Sequence, residues 1–200
     1  MSESVAEGVM AAAPVGTAAR STQGSAPASR TRSPRRNGIF LWAILGVTLL
    51  LGQAMFRLSQ IAWEALSAGN MTTSQLIICA TWSVSNIYLE GYRGFHKRFV
   101  PRVIARAHHL AEHPFQPAVV FAPLFAMAFF HSNRRAKAAA WGVSFAVIIA
   151  IVYVRTLPQP WRGIIDCGVV AGLLFGTLSL LWGALARLRG HEPQSSPDLP

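Results

Sequence analysis

The chain has 200 residues, of which 52% are hydrophobic and 13% are charged, and its mean hydropathy is +0.36. The apolar residues form long runs flanked by the 18 basic residues, which outnumber 8 acidic ones; this composition is typical of an integral membrane protein and argues against a nucleic-acid-binding domain. Both cysteines lie in apolar segments and no cofactor motif is present, so we expect no disulfide framework, no cofactor and no nucleic-acid partner.

The two ends of the chain lack apolar periodicity. Residues 1–37 are rich in Ala, Ser, Gly, Pro, Thr and Arg, which predicts a disordered basic tail on the cytoplasmic side. Residues 191–200 are polar and rich in proline, which predicts a second disordered tail. The intervening residues 38–190 are predicted to form an all-α, polytopic transmembrane helical bundle.

The first two apolar runs predict two spans, at about 38–57 and 71–90. The second span is uncharged as far as Leu89, but it carries a polar stripe that includes Gln75, Asn86 and Glu90. Such a stripe must face protein or water, because lipid would leave its amide groups without hydrogen bonds. We expect hydrogen bonds between helices here, with a substrate path as the alternative.

The basic segment that follows contains Pro101, which is well placed for the first turn of a helix. Apolar and basic residues alternate with helical spacing over 101–113, which predicts an amphipathic helix on the cytoplasmic membrane surface, where it would contact anionic lipid headgroups. His109, Glu112 and His113 match the H-x-x-E-H pattern of a zinc peptidase. Because no third ligand is evident downstream, we treat these residues as weak metal candidates and predict no metal site.

Residues 115–131 are apolar, but the run is near the lower limit for a span and contains Pro117 and Pro123. The segment is therefore predicted either to re-enter the membrane on the same side or to form a fifth span.

The last two apolar runs predict spans at about 138–154 and 163–184. Each carries small residues at a spacing of four, which lets membrane helices approach closely. We therefore predict a close antiparallel pair between these spans, through the following residues: Ala138, Gly142, Ala146 and Ala150 on the first, and Gly168, Gly172 and Gly176 on the second. Trp161 and Trp182 lie about 31 Å apart along the last helix and mark the two membrane interfaces.

The distribution of basic residues favours four spans with both termini in the cytoplasm. In that topology only Arg57, Arg155 and Arg162 lie outside, whereas a fifth span would move both the 133–137 loop and the C-terminal arginines outside. The location expected from this pattern is a bacterial inner membrane.

No catalytic motif stands out, so we expect a non-catalytic accessory, scaffold or assembly component rather than an enzyme. Its partner would be a second copy of the chain or another membrane protein. The alternative is a small transporter or channel whose substrate path contains Gln75, Asn86, Glu90 and Asp166. For Asp166, however, Arg162 four residues earlier predicts a simple ion pair.

Overall fold

A computed structural model of the chain describes residues 34–190, and no strand occurs among them. The helical elements are α1 (Pro34–Ser67), α2 (Thr73–Asn86), a π-helical segment (Ile87–Phe99), α3 (Val100–Glu112), α4 (Gln116–Val120), α5 (Ala122–Ala126), α6 (Arg134–Arg155) and α7 (Trp161–Leu188). The predicted all-helical fold is therefore confirmed. Most of the predicted N-terminal tail, residues 1–33, and the predicted tail at 191–200 lie outside the described residues.

Within residues 34–190, three helices, α1, α6 and α7, are long and apolar enough to cross a membrane. Their most apolar 18-residue windows have mean hydropathies of 2.1, 1.9 and 2.1. With 34 residues, α1 is about 51 Å long, well beyond the hydrocarbon thickness of a bilayer. These helices fit an integral membrane protein.

The helix α1 is longer at both ends than the predicted span. It already includes Pro34, the first described residue, four residues before Gly38. It continues past Arg57 to Ser67 and is followed by Gly69, whose φ of +65° suits a glycine. The charged residue that was expected to end the span therefore lies within the helix.

The elements from α2 to α3 form one continuous helix over residues 73–112, which we call the long helix. The helix does not end at Glu90, where the second span was predicted to end, because the basic segment that follows is π-helical. Pro101 does lie at the start of α3, as predicted. Proline lacks the N–H that continues the α-helical hydrogen bonds, and the π winding ends at Phe99, two residues before it.

The helix α3 lies in the interior of the bundle rather than alone on a membrane surface. Its apolar side is fully buried, with Val103, Ala107 and Leu110 at most 1% exposed. These residues pack with the first half of α1, with α5 and with the end of α7 in one hydrophobic core. The predicted amphipathic pattern is present in α3, but its apolar face packs against other helices of the bundle.

The helices α4 and α5 have five residues each and are too short to cross a membrane. The rings of Phe115 and His131, at the two ends of this segment, are only 5.1 Å apart. Between them, Pro123 packs directly against Gly46 of α1. The segment therefore enters the bundle and returns to the end from which it started.

Contacts along α7 give the directions of the main helices. Near its start, Gly163 packs against Ala65 at the end of α1, whereas Arg187 stacks over Phe40 near the start of α1. The helices α1 and α7 are therefore antiparallel. By contrast, α7 runs parallel to the long helix, because the residues that it contacts there advance from Trp82 to Ile104. We call the end that contains Arg36, Arg106 and Arg187 the basic end.

The helix α6 packs little against the rest of the bundle. None of its most apolar window is buried, and Ala136 is its one buried residue. The small residues that were predicted to contact α7 are all exposed; they are Ala138, Gly142, Ala146 and Ala150. The predicted close pair between α6 and α7 is therefore not formed.

Candidate functional site

The glycine stripe of α7 packs against the long helix. A Cβ atom on Gly168 would collide with the indole of Trp82, and one on Gly172 would lie 3.2 Å from the carbonyl oxygen of Asn86. A Cβ atom on Gly176 would come within 2.5 Å of Phe95. The stripe does allow close approach, as predicted, but its partner is the long helix rather than α6.

The polar stripe of the long helix lies at this same interface. The indole N–H of Trp82 donates to the carbonyl oxygen of Ile165 on α7 at 3.3 Å. Asn86, which is 4% exposed, donates to the carbonyl oxygen of Trp82 at 2.9 Å. A carboxylate oxygen of Glu90 faces Gly172. The Trp82 indole thus bonds across the interface, whereas the Asn86 amide bonds back to its own helix.

The other two residues of the hypothetical substrate path do not join this group in the same way. Gln75 closes a capping box at the start of α2: the Thr72 N–H donates to its side-chain oxygen at 2.9 Å, and its own N–H donates to the Thr72 hydroxyl. Asp166 is buried on α7, at 4% exposure. Among the described residues it makes no ion pair at contact distance, but the positive charge of Arg162 does act on it electrostatically, so the predicted pair is present only as a longer-range interaction.

The two cysteines meet across the same interface, a proximity that the sequence did not indicate. Cys79 on the long helix and Cys167 on α7 lie close enough to interact electrostatically, and both are free thiols. The hydroxyl of Ser83 donates to the sulfur of Cys167 at 3.6 Å.

Arg106 is the largest fully buried side chain, at 0% exposure, although the sequence placed it on a polar surface face. Its guanidinium donates to the carbonyl oxygens of Phe125 at 2.6 Å, Phe130 at 2.9 Å and His131 at 3.0 Å. It also lies over the ring of Phe125, 4.3 Å from its centre. These are the partners that a buried cation requires, and they tie α3 to the segment that re-enters the bundle.

The backbone that Arg106 holds is turned sharply. Ala128 and His131 have φ angles of 66° and 49°, which non-glycine residues rarely adopt. Ser132, nearby, donates to the carbonyl oxygen of Ala128 at 2.8 Å. Such a conformation persists only where surrounding contacts enforce it, and the bonds from Arg106 are contacts of that kind.

The H-x-x-E-H residues lie at the basic end of the bundle. The carboxylate of Glu112 pairs with Arg36 of α1 and lies 3.5 Å from the imidazole of His108. The rings of His109 and His113 stack on each other, with centres 4.9 Å apart. Within residues 34–190, no three metal-ligating side chains converge on one point. The ion pair between Arg36 and Glu112 therefore joins the start of α1 to the end of α3.

Burial is the main cause that lowers the pKa of His109 below its ordinary value of 6.5. The neighbouring His113 and Arg106 act in the same direction, whereas the carboxylate of Glu112 opposes them. The neutral imidazole is therefore the form that the folded chain favours.

A shallow groove on the outer side of the π-helical segment has a volume of about 210 Å³. It is lined by Leu89, Arg93, Gly94 and Arg98.

Comparison with known proteins adds no identification, since no family model, curated protein or solved structure matches this chain.

Proposed function

We propose that the chain crosses the membrane four times, through α1, the long helix, α6 and α7, with the basic end in the cytoplasm of a bacterial cell. Two observations support this topology. The ends of the 115–131 segment meet at Phe115 and His131, which favours re-entry over a fifth span. All basic residues except Arg57, Arg155 and Arg162 then belong to the cytoplasmic side.

Reporter fusions test this topology. Alkaline phosphatase and green fluorescent protein are fused in turn after Lys137 and after Pro200. We expect fluorescence and no phosphatase activity at both positions. Phosphatase activity after Pro200 would contradict the proposal.

We further propose that the protein is a non-catalytic accessory, scaffold or assembly component that binds a membrane partner through α6. The observation that carries this proposal is the exposure of α6: all four residues of its small-residue stripe are exposed, and none of its most apolar window is buried. Small residues give lipid little contact area, but they allow a second helix to approach closely. A second copy of this chain or another membrane protein would supply that helix.

The test adds bulk to the stripe and compares the size of the native complex. Ala146→Leu fills the stripe, and Ile148→Phe adds bulk on a different face of the same helix, where Ile148 is 56% exposed. On blue-native electrophoresis from gently solubilised membranes, we expect Ala146→Leu to shift the protein to the monomer position. We expect Ile148→Phe to leave the complex intact. If both variants and the wild type migrate as monomers, the proposal is wrong.

The transport alternative receives less support from the geometry. The amide of Gln75 is engaged in a helix cap, and Asn86 is packed between the long helix and α7. A liposome flux that Asn86→Leu abolishes, in a variant that keeps its thermal stability, would favour transport over the accessory role.

A further inference from the structure

The groove on the π-helical segment faces away from the bundle. On the opposite side of this segment, Gly91 and Phe95 contact α7 at Phe175 and Gly176. The groove residues Arg93 and Arg98 are exposed, as is the side chain of Leu89 at 54%. The groove is thus open to whatever surrounds the bundle at this depth.

The π winding is what creates the groove. With i→i+5 hydrogen bonds a helix turns by about 80° per residue, so residues nine apart, such as Leu89 and Arg98, lie within about 20° of each other. At the roughly 100° per residue of an α-helix, the same two residues would lie on opposite faces. Arg93 lies between them on the shared face, and Gly94 contributes no side chain to fill the space.

The two arginines of the groove carry uncompensated charge. Neither Arg93 nor Arg98 makes an ion pair with another residue of the described range. The one acid on this segment, Glu90, faces Gly172 on the other side. Lys97, the remaining cation of the segment, lies over the ring of Tyr92 at 4.7 Å. The groove therefore presents two guanidinium groups that an anion would neutralise.

The depth of the groove indicates the class of anion. Phe95 is level with Gly176 of α7, and Val100 is level with Gly183, next to the interface marker Trp182. Arg98 consequently lies near the headgroup layer. Arg93 lies about one turn deeper, and the exposed apolar side chain of Leu89 lies deeper still. Arginines at this depth extend toward lipid phosphates, and apolar neighbours contact the acyl chains.

We infer that this groove binds the phosphate headgroup of an anionic phospholipid in the leaflet at the basic end. Arg93 and Arg98 donate to the phosphate oxygens, and Gly94 leaves room for the headgroup. Leu89 contacts the upper part of the acyl chain. The inference requires that the helices sit in a membrane, but it does not depend on the proposed partner at α6.

The experiment measures binding of phosphatidylglycerol to the purified full chain. The protein is placed in nanodiscs of phosphatidylcholine with increasing phosphatidylglycerol, and bound lipid is counted by native mass spectrometry after release. Arg93→Gln with Arg98→Gln should weaken retention of one phosphatidylglycerol by roughly 30-fold, since each arginine near the surface contributes about fivefold. The matched control, Arg134→Gln with Arg135→Gln, removes two exposed charges at the basic end and should change retention by less than about threefold.

A second variant tests the shape of the groove without changing its charge. A Cβ atom at Gly94 would meet only the carbonyl oxygen of Leu89, at an ordinary distance of 3.5 Å, so Gly94→Leu is compatible with the fold. It should fill the groove and lower retention at least tenfold, with an unchanged melting temperature in detergent.

Three results would overturn the inference. Equal loss in both arginine pairs would show diffuse surface charge rather than a site. Full retention in the Arg93→Gln/Arg98→Gln protein, or in the Gly94→Leu protein, would show that the groove is not occupied. Displacement of the lipid by millimolar inorganic phosphate would assign the groove to a soluble anion instead.

Discussion

Replacement of Arg106 is the sharpest test of how the re-entrant segment is held. Arg106→Met keeps the length and the apolar stem of the side chain but removes the guanidinium, which leaves the carbonyl oxygens of Phe125, Phe130 and His131 without this donor. Each hydrogen bond from a charged donor contributes about 1.5–3 kcal/mol, and these contributions are not additive. A buried acceptor left without a donor costs about 1–3 kcal/mol, so the loss of three such bonds, which do not add fully, should cost about 3–5 kcal/mol in total.

This cost is a large share of the roughly 5–15 kcal/mol by which a folded protein is stable. We therefore expect Arg106→Met to lower the melting temperature in detergent by about 10 °C, at the roughly 2–4 °C per kcal/mol of a chain this size. Arg106→Lys keeps the charge but lacks the planar fork, so it should fall between the wild type and Arg106→Met. Arg135→Met, at an exposed position, is the control and should leave the melting temperature unchanged.

A labelling assay shows whether the segment held by Arg106 is the part that loosens in Arg106→Met. In a background with Cys79→Ala and Cys167→Ala, Ser132→Cys introduces a thiol where the native side chain is 9% exposed. We expect slow reaction with a membrane-impermeant maleimide in this protein, and reaction faster by tenfold or more once Arg106→Met is added. If Arg106→Met changes neither the melting temperature nor the labelling rate, Arg106 does not hold this segment.

Three further predictions concern other parts of the bundle. The proximity of Cys79 and Cys167 predicts that a short, reducible bifunctional thiol reagent links them within one chain. The link would appear as protease fragments that stay joined until the reagent is reduced. A lack of linkage would contradict the packing of the long helix on α7. Gly172→Leu should destabilise the detergent-solubilised protein by about 2–4 kcal/mol, because Gly172 faces backbone at 3.2 Å, whereas the open position Gly142 should accept leucine without loss of monomer stability. Because the pKa of His109 is lower in the folded chain, the unfolded chain binds the proton first as the pH falls. The contribution of His109 to stability is therefore complete above pH 6.5 and decreases below that value. His109→Gln should make the melting temperature less dependent on pH between about pH 7 and 5.

Apolar periodicity was sufficient to predict the main helices. Every run assigned to a span lies in a helix, since hydrophobic length is a strong signal in a membrane chain. The boundaries were less accurate, as the extension of α1 past Arg57 illustrates: one charged residue near an interface can extend toward water without ending the helix. The re-entrant alternative for 115–131 was also present in the sequence, through its short length and its two prolines.

The partner of the glycine stripe could not be found in the same way. A four-residue spacing of small residues predicts close packing but does not specify the partner, and two such stripes next to each other in sequence suggested a pair. In the structure the glycines of α7 pack instead against Trp82, Asn86 and Phe95 of the long helix, which occupy the space left by the missing side chains. The polar stripe of the long helix was the better indication of the partner, because its polar groups need contact with protein and α7 provides that contact.

Arg106 and the π-helical segment show what a fixed helical wheel misses. On the wheel Arg106 lies at the border of the polar face, about 40° from Leu110, and only the carbonyl groups of a distant segment determine that it turns inward. Likewise, Arg93 and Arg98 share a face only because the helix is π-wound between Ile87 and Phe99. The same local departure from α-helical geometry carries the long helix into the core and forms the basic groove on its outer side. Pro101→Ala restores a backbone N–H directly after this segment, and we expect it to shift the winding toward the α-helix and to weaken phosphatidylglycerol retention without removing either arginine.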